Sequence, residues 1–173
     1  LFNIGSDGVD KSLINTGAGN DKISIKINKS LISDNFSSQA IRSSSIITGE
    51  GNDELFIEQK IPYDNLSVYI SGPISYGNII DMGDGDDTAR FISDGYGLKS
   101  GSETHNIKLG SGNDSLSIES KFTSLYDVDL FAGEGDDQID LSSSHEFQFW
   151  QNRVCASLSF TSLRAVRFLR TWV

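Results

Sequence analysis

The chain has 173 residues, 37% of them apolar, one cysteine (Cys155) and a formal charge of −10. That is enough chain for one packed domain, and a lone cysteine excludes an internal disulfide staple. Before residue 151, ten Lys and Arg face 24 Asp and Glu, a balance of −14. Such a body argues against nucleic acid, whose phosphates are met by clustered Lys and Arg, and in favour of cations as partners.

The opening residues hold no basic segment followed by an apolar run, and no apolar stretch approaches the length of a membrane span. The sequence reads as a piece of a longer protein. In chain order, the first feature is SDGVDKSL, where Gly8 and Asp10 stand two apart with Ser6 where a glycine would lead; it is a candidate degenerate loop. Five full copies follow: NTGAGNDKISI from Asn15, ITGEGNDELFI from Ile47, DMGDGDDTARF from Asp81, KLGSGNDSLSI from Lys108 and FAGEGDDQIDL from Phe131. Each reads Gly-x-Gly, then Asn or Asp, then Asp. Roughly 0.2 Gly-x-Gly-x-Asp matches are expected by chance in a chain of this composition.

The leading glycines Gly17, Gly49, Gly83, Gly110 and Gly133 are 32, 34, 27 and 23 residues apart. Six and eight positions after each stand Ile23 and Ile25, Leu55 and Ile57, Ala89 and Phe91, Leu116 and Ile118, Ile139 and Leu141, all apolar. Three residues before each glycine stands Ile14, Ile46, Ile80, Ile107 or Leu130. This period-2 pattern predicts a half-buried strand on either side of every loop. Further strand candidates are Leu66 to Ile70 and the stretch around Pro73 and Tyr76. A strand, a Gly-rich corner and a second strand at coil-sized intervals predict an all-β parallel solenoid, because one coil alone cannot bury its apolar face.

The loop chemistry points to a hard cation. Calcium takes 6 to 8 oxygens from carboxylates and carbonyls. The glycines Gly17 and Gly19, Gly49 and Gly51, Gly83 and Gly85, Gly110 and Gly112, Gly133 and Gly135 allow the chain to curl. Asp21, Asp53, Asp87, Asp114 and Asp137 each place a carboxylate at one offset, next to Asn20, Asn52, Asp86, Asn113 and Asp136. Coils stacked about 4.8 Å apart bring equivalent carboxylates within repulsive range, which a bound ion would relieve. Plain Gly-Asn-Asp turn chemistry is the competing account.

Over residues 6 to 142 these loops resemble the RTX (hemolysin-type) calcium-binding repeats, Gly-Gly-x-Gly-x-Asp followed by apolar alternation. The family's first glycine is replaced in every copy, by Thr16, Thr48, Met82, Leu109 or Ala132, and the copies are not in tandem. The spacing favours a wider β-helix-like coil over the two-sided β-roll, with one calcium-binding loop per coil along one edge. The resemblance implies Ca2+ held by the loop residues named above, and a non-catalytic structural module of a larger exported polypeptide. Secretion through a dedicated channel (type I secretion) and an extracellular or cell-surface location are implied with it.

The organisation expected is residues 1–145 as acidic repeats and 146–173 as an atypical basic tail, with Arg153, Arg164, Arg167 and Arg170 and no acid after residue 150. Three readings of the tail stand open: an amphipathic helix with Leu158, Ala165, Leu169 and Trp172 on one side that caps the repeats, touches a membrane or serves as an export signal, an unrelated linker, or an out-of-frame end. His105 and His145 read as isolated surface histidines. Two other functions stay in play: a calcium-dependent β-helix polysaccharide lyase or epimerase fragment, and a surface adhesin array. The carboxylates are already used as loop ligands and the repeat body offers no activated acid–base pair, so no enzyme is expected.

Overall fold

The computed structural model describes residues 2–3, 8–28, 39–60, 72–99, 103–144, 153–155 and 162–165. Among them there is no helix, and the strands fall into three sheets that are parallel throughout. The strands entering the loops are Leu13–Ala18, Ser45–Glu50, Ile79–Asp84, His105–Ser111 and Val128–Glu134. Those leaving them are Lys22–Asn28, Glu54–Lys60, Thr88–Ser93, Ser115–Ser120 and Gln138–Ser143. Two-residue strands form the third wall: Val9–Asp10, Ile41–Arg42, Ile74–Ser75, Leu98–Lys99 and Leu125–Tyr126. Each turn of chain visits the short wall, the entry sheet, the loop and the exit sheet, then climbs one coil. The chain is therefore a parallel β-solenoid, with one Gly-x-Gly loop in each of five successive turns.

Register explains the alternation seen in the sequence. Ile23, Leu55, Ala89, Leu116 and Ile139 form one column across the exit sheet, and Ile25, Ile57, Phe91, Ile118 and Leu141 the next. All ten are buried, the most exposed being Ile23 at 7%. In the third coil the small Ala89 sits two residues from Phe91, the bulkiest fully buried side chain, so volume is exchanged within a coil and not between coils. Ile46, Ile80, Ile107 and Leu130 line the entry sheet, and Ile41, Ile74, Leu98 and Leu125 the short wall. The outward positions mix polar residues with apolar ones such as Leu13 and Ile79, and exposed pairs there, such as Arg90 with Glu119 at 2.6 Å, contribute little.

The corner between short wall and entry sheet also repeats. Lys11, Ser43, Tyr76 and Asp127 all have φ between 46° and 59°, the left-handed bend that turns the chain. Behind it runs an interior polar ladder. The Ser12 N–H donates to Ser44 Oγ (3.1 Å), Ser44 N–H to Asn78 Oδ1 (2.8 Å) and Asn78 N–H to His105 Nδ1 (3.1 Å). His105 is therefore fully buried, contrary to the surface position expected from its polar neighbours. Burial pushes its pKa down to about 4, with the Asp127 charge and nearby carbonyls opposing.

Two further expectations are corrected. Gly8 and Asp10 do not form a sixth loop: Val9–Asp10 is a strand of the short wall, and Asp10 pairs with Arg42 at 2.6 Å. That pairing holds the Asp10 carboxyl below its usual range. In the tail, Arg153–Cys155 and Ser162–Ala165 are not helical but strands, continuing the entry and exit sheets as one more turn. Val154, Leu163 and Ala165 take the register positions of Leu130, Ile139 and Leu141, and Arg153 and Arg164 stand opposite Asp129 and Asp140. The stretch around Pro73 does form a strand, Ile74–Ser75. Leu66 to Ile70 and His145 lie outside the described residues.

Candidate metal centre

The five loops stack in one column, and two features of the glycines make that possible. The leading glycines have φ from +92° to +117° and the second glycines from +121° to +139°, which L side chains rarely adopt. Stacking adds a separate demand. A Cβ on Gly49 would overlap the Gly17 carbonyl oxygen, and one on Gly51 would overlap the Gly19 carbonyl. Glycine is thus required by backbone contact between coils as well as by the turn.

Direct hydrogen bonds tie neighbouring loops. The second glycine of a coil donates its N–H to the carbonyl of the residue between the two glycines of the next: Gly19 to Glu50, Gly51 to Asp84, Gly85 to Ser111 and Gly112 to Glu134, at 2.7 to 2.8 Å. The residue after the Asp donates backwards, as Glu54 does to the Asp21 carbonyl and Thr88 to that of Asp53.

The paired Asn/Asp side chains add two ladders running in opposite directions. Asn52 N–H donates to Asn20 Oδ1 (2.9 Å), Asp86 N–H to Asn52 Oδ1 (3.0 Å), Asn113 N–H to Asp86 Oδ1 (2.7 Å) and Asp136 N–H to Asn113 Oδ1 (3.0 Å). These acceptors reach forward, and all five side chains of the set are exposed. The second set reaches back. Asp21 N–H donates to Asp53 Oδ1 (2.7 Å), Asp53 N–H to Asp87 Oδ1 (2.8 Å), Asp87 N–H to Asp114 Oδ1 (2.9 Å) and Asp114 N–H to Asp137 Oδ1 (3.1 Å).

The inner ladder leaves charge uncompensated. Asp53, Asp87 and Asp114 are 1 to 2% exposed, and the Oδ2 atoms of Asp21, Asp53, Asp87 and Asp114 are buried without a hydrogen-bond partner. Among the described residues no Lys or Arg forms an ion pair with this column; the ion pairs lie elsewhere on the surface. Burial, reinforced by neighbouring carboxylates and opposed by the N–H bonds, pushes Asp87 and Asp114 up to about 6. An unpaired buried carboxylate oxygen is costly enough that it takes up a proton or a cation.

The predicted ligands are therefore brought together in one line, with the second Asp of each loop turned inward and the preceding Asn or Asp outward. Among the described residues no group of three or more Asp, Glu, His or Cys side chains converges on one point. Any cation held here would be shared along a column. The anionic, oxygen-only character of the orphan atoms fits a hard ion such as calcium. Sequence reasoning did not single out the residue between the glycines. Glu50, Asp84 and Glu134 are exposed, and Ser111 Oγ donates to Asp84 Oδ1 at 2.5 Å. The signal was an acid at that position in three of five copies. No protein-family model, curated protein or solved structure matches this chain.

Proposed function

We propose that this chain is a calcium-binding, non-catalytic structural module of a larger secreted or cell-surface polypeptide. One observation carries the reading: three buried aspartates in register, Asp53, Asp87 and Asp114, each with one carboxylate oxygen satisfied by a backbone N–H and one with no partner. Asp21, Asp53, Asp87, Asp114 and Asp137 would hold the ions, with the exposed acids of the same loops, Glu50, Asp84, Asp86, Glu134 and Asp136, adding negative charge nearby. The ion would supply charge neutralisation between coils that otherwise repel. The resemblance of the loops to RTX repeats agrees with this choice of metal and suggests export. The buried loop carboxylates are all copies of one repeat position, which suits a repeated structural duty better than an acid–base pair.

Calcium titration followed by far-ultraviolet circular dichroism, with magnesium as control, tests the reading. Calcium should raise β content and resistance to urea, and magnesium should do so poorly because it demands near-octahedral geometry and dehydrates reluctantly. Equal responses to both ions, or full structure in excess chelator with no response to either, would overturn it.

A further inference from the structure

The interior polar ladder carries a titratable side chain at one junction and neutral ones at the others. The acceptor for the backbone N–H of the coil before is Ser44 Oγ, then Asn78 Oδ1, then His105 Nδ1. A hydroxyl or an amide keeps its acceptor oxygen at any pH, whereas an imidazole loses its acceptor when it takes up a proton. His105 is fully buried. Because Nδ1 accepts from the Asn78 N–H at 3.1 Å, the ring is neutral with its proton on Nε2, which is buried with no hydrogen-bond partner.

A second proton has one place to go, Nδ1. There it faces the Asn78 N–H, donor against donor, and brings a charge into the interior. The titratable groups on the elements packed around the ring are Tyr76, Lys99, Glu103, Asp127 and Asp129. Of these the Asp127 carboxylate, which accepts from Thr104 Oγ1 at 3.2 Å, draws charge toward the ring, and burial outweighs it. A charged His105 is therefore accommodated by parting the third coil, which carries Asn78, from the fourth. The pairing shows where. In the short wall this junction is joined by one residue pair, Leu98 with Ile74, whereas the junctions on either side pair both residues of the strand. In the entry sheet it lacks the glycine pair, Gly83 with Gly110, that the other three loop junctions contain. The exit sheet keeps full register, from Thr88 with Ser115 to Ser93 with Ser120. The two thinly paired walls meet at the corner that holds His105.

We propose that the junction between the third and fourth coils is an acid-operated hinge: a proton on His105 opens the entry sheet and the short wall there, and the exit sheet serves as the pivot. Neither His105 nor Asn78 belongs to the loop column, so the hinge does not rest on the calcium reading. With the junction closed the ring titrates at about 4, and with it open the ring returns to about 6.5. Linkage between the two raises the opening equilibrium about thirtyfold from pH 7.5 to pH 5.

Amide hydrogen exchange on the full chain in saturating calcium, corrected for the intrinsic pH dependence of exchange, is the test; a chain that ignores calcium gives the same readout. The Asn78 and Asn106 amides bond across the junction to His105 Nδ1 and the Asn78 carbonyl. Their protection should fall about thirtyfold from pH 7.5 to pH 5. The Ser115 and Lys121 amides cross the same junction to the Asp87 and Ser93 carbonyls at the two ends of the exit strand, and should keep their protection. The Ser44 amide, held by Asn78 Oδ1 one junction earlier, should keep its own. His105→Asn, which retains an acceptor and cannot titrate, should abolish the fall at Asn78 and Asn106. Should that variant fold poorly, the contrast between the walls of the wild-type chain decides alone. Loss of protection in all three sheets together, which is unfolding and not a hinge, overturns the proposal. So does an undiminished fall in His105→Asn, or no fall at Asn78 and Asn106.

Discussion

Replacing Asp87 by Asn separates an ion column from a set of turn residues, because the sign of its effect depends on calcium. Asp87 is flanked in the column by Asp53 and Asp114, each one coil away. At about 4.8 Å and an effective dielectric near 20, each ionised neighbour costs about 3 to 4 kcal/mol. Two neighbours would cost about 7 kcal/mol if all three stayed ionised, which is comparable with the whole stability of a domain. Asp87 is pushed up to about 6, chiefly by burial, so it is ionised at pH 8, and that displacement bounds the cost of keeping it charged in the folded chain at about 3 kcal/mol. Asp87→Asn keeps a side-chain oxygen for the Asp53 N–H and removes the charge. In excess chelator at pH 8 the variant should be more stable than the parent, by about 1 to 3 kcal/mol. In saturating calcium it should be less stable, because a ligand to the ion is gone. Urea unfolding followed by circular dichroism in both buffers gives the two differences. The same sign in both would refute the reasoning.

Without metal, Asp87 and Asp114 hold protons more tightly in the folded chain than in the unfolded one, so their contribution is favourable below about pH 4 and is lost as pH rises through about 6. His105, pushed down to about 4, acts in the opposite sense: its share is present above about 6.5 and lost as pH falls through 4. Over pH 4 to 6 the two aspartates outweigh the one histidine, so urea midpoints in chelator should fall as pH rises through that range, and His105→Asn, which keeps a ladder acceptor, should steepen the fall. Gly49→Ala and Gly19→Ala carry similar positive φ but differ in contact. Thermal melts should show a cost of about 1 to 2 kcal/mol at Gly19 and loss of the fold, or several times that cost, at Gly49. Ending the chain after Ser144 should lower the melting temperature by uncovering Val128–Glu134 and Gln138–Ser143, while calcium stoichiometry by calorimetry stays unchanged.

The loops, their single column and the buried alternation were legible because each coil repeats the same residue types at the same offsets. A position that must be Gly for both φ and contact, such as Gly49, admits no substitute and so leaves a motif. The second corner left none. Its ladder needs only an acceptor for a backbone N–H, and Ser44 Oγ, Asn78 Oδ1 and His105 Nδ1 supply it equally well. His105 thus looked isolated in sequence although its place is fixed by stacking. Asp10 misled for a related reason: a glycine two residues before an aspartate is too short a pattern to distinguish a loop from a short strand whose Asp meets Arg42. The tail's strands were hidden because Val154, Leu163 and Ala165 continue the apolar columns without the Gly-x-Gly-Asp loop that marks the other turns.

The same geometry that makes the loops stack also limits how they can respond to an ion. The backbone bonds across each junction, from Gly51 N–H to the Asp84 carbonyl and from Thr88 N–H to the Asp53 carbonyl, involve no side-chain charge. They fix the coils at strand spacing, so the carboxylates cannot relieve their repulsion by drifting apart. Relief has to come from protons, from cations or from opening a junction altogether. Each junction bears on its neighbours because Asp53, Asp87 and Asp114 are each shared between two of them. Opening one junction strips a shared aspartate of one of its hydrogen bonds and weakens the next, as nearest-neighbour coupling in a linear repeat array predicts. Cation binding along the column should therefore be cooperative, with a Hill coefficient above one in a calcium titration. Substituting Asp87 should lower that coefficient more than substituting Asp137, whose carboxylate accepts from Asp114 alone. Independent sites with equal affinities would show that the junctions do not communicate.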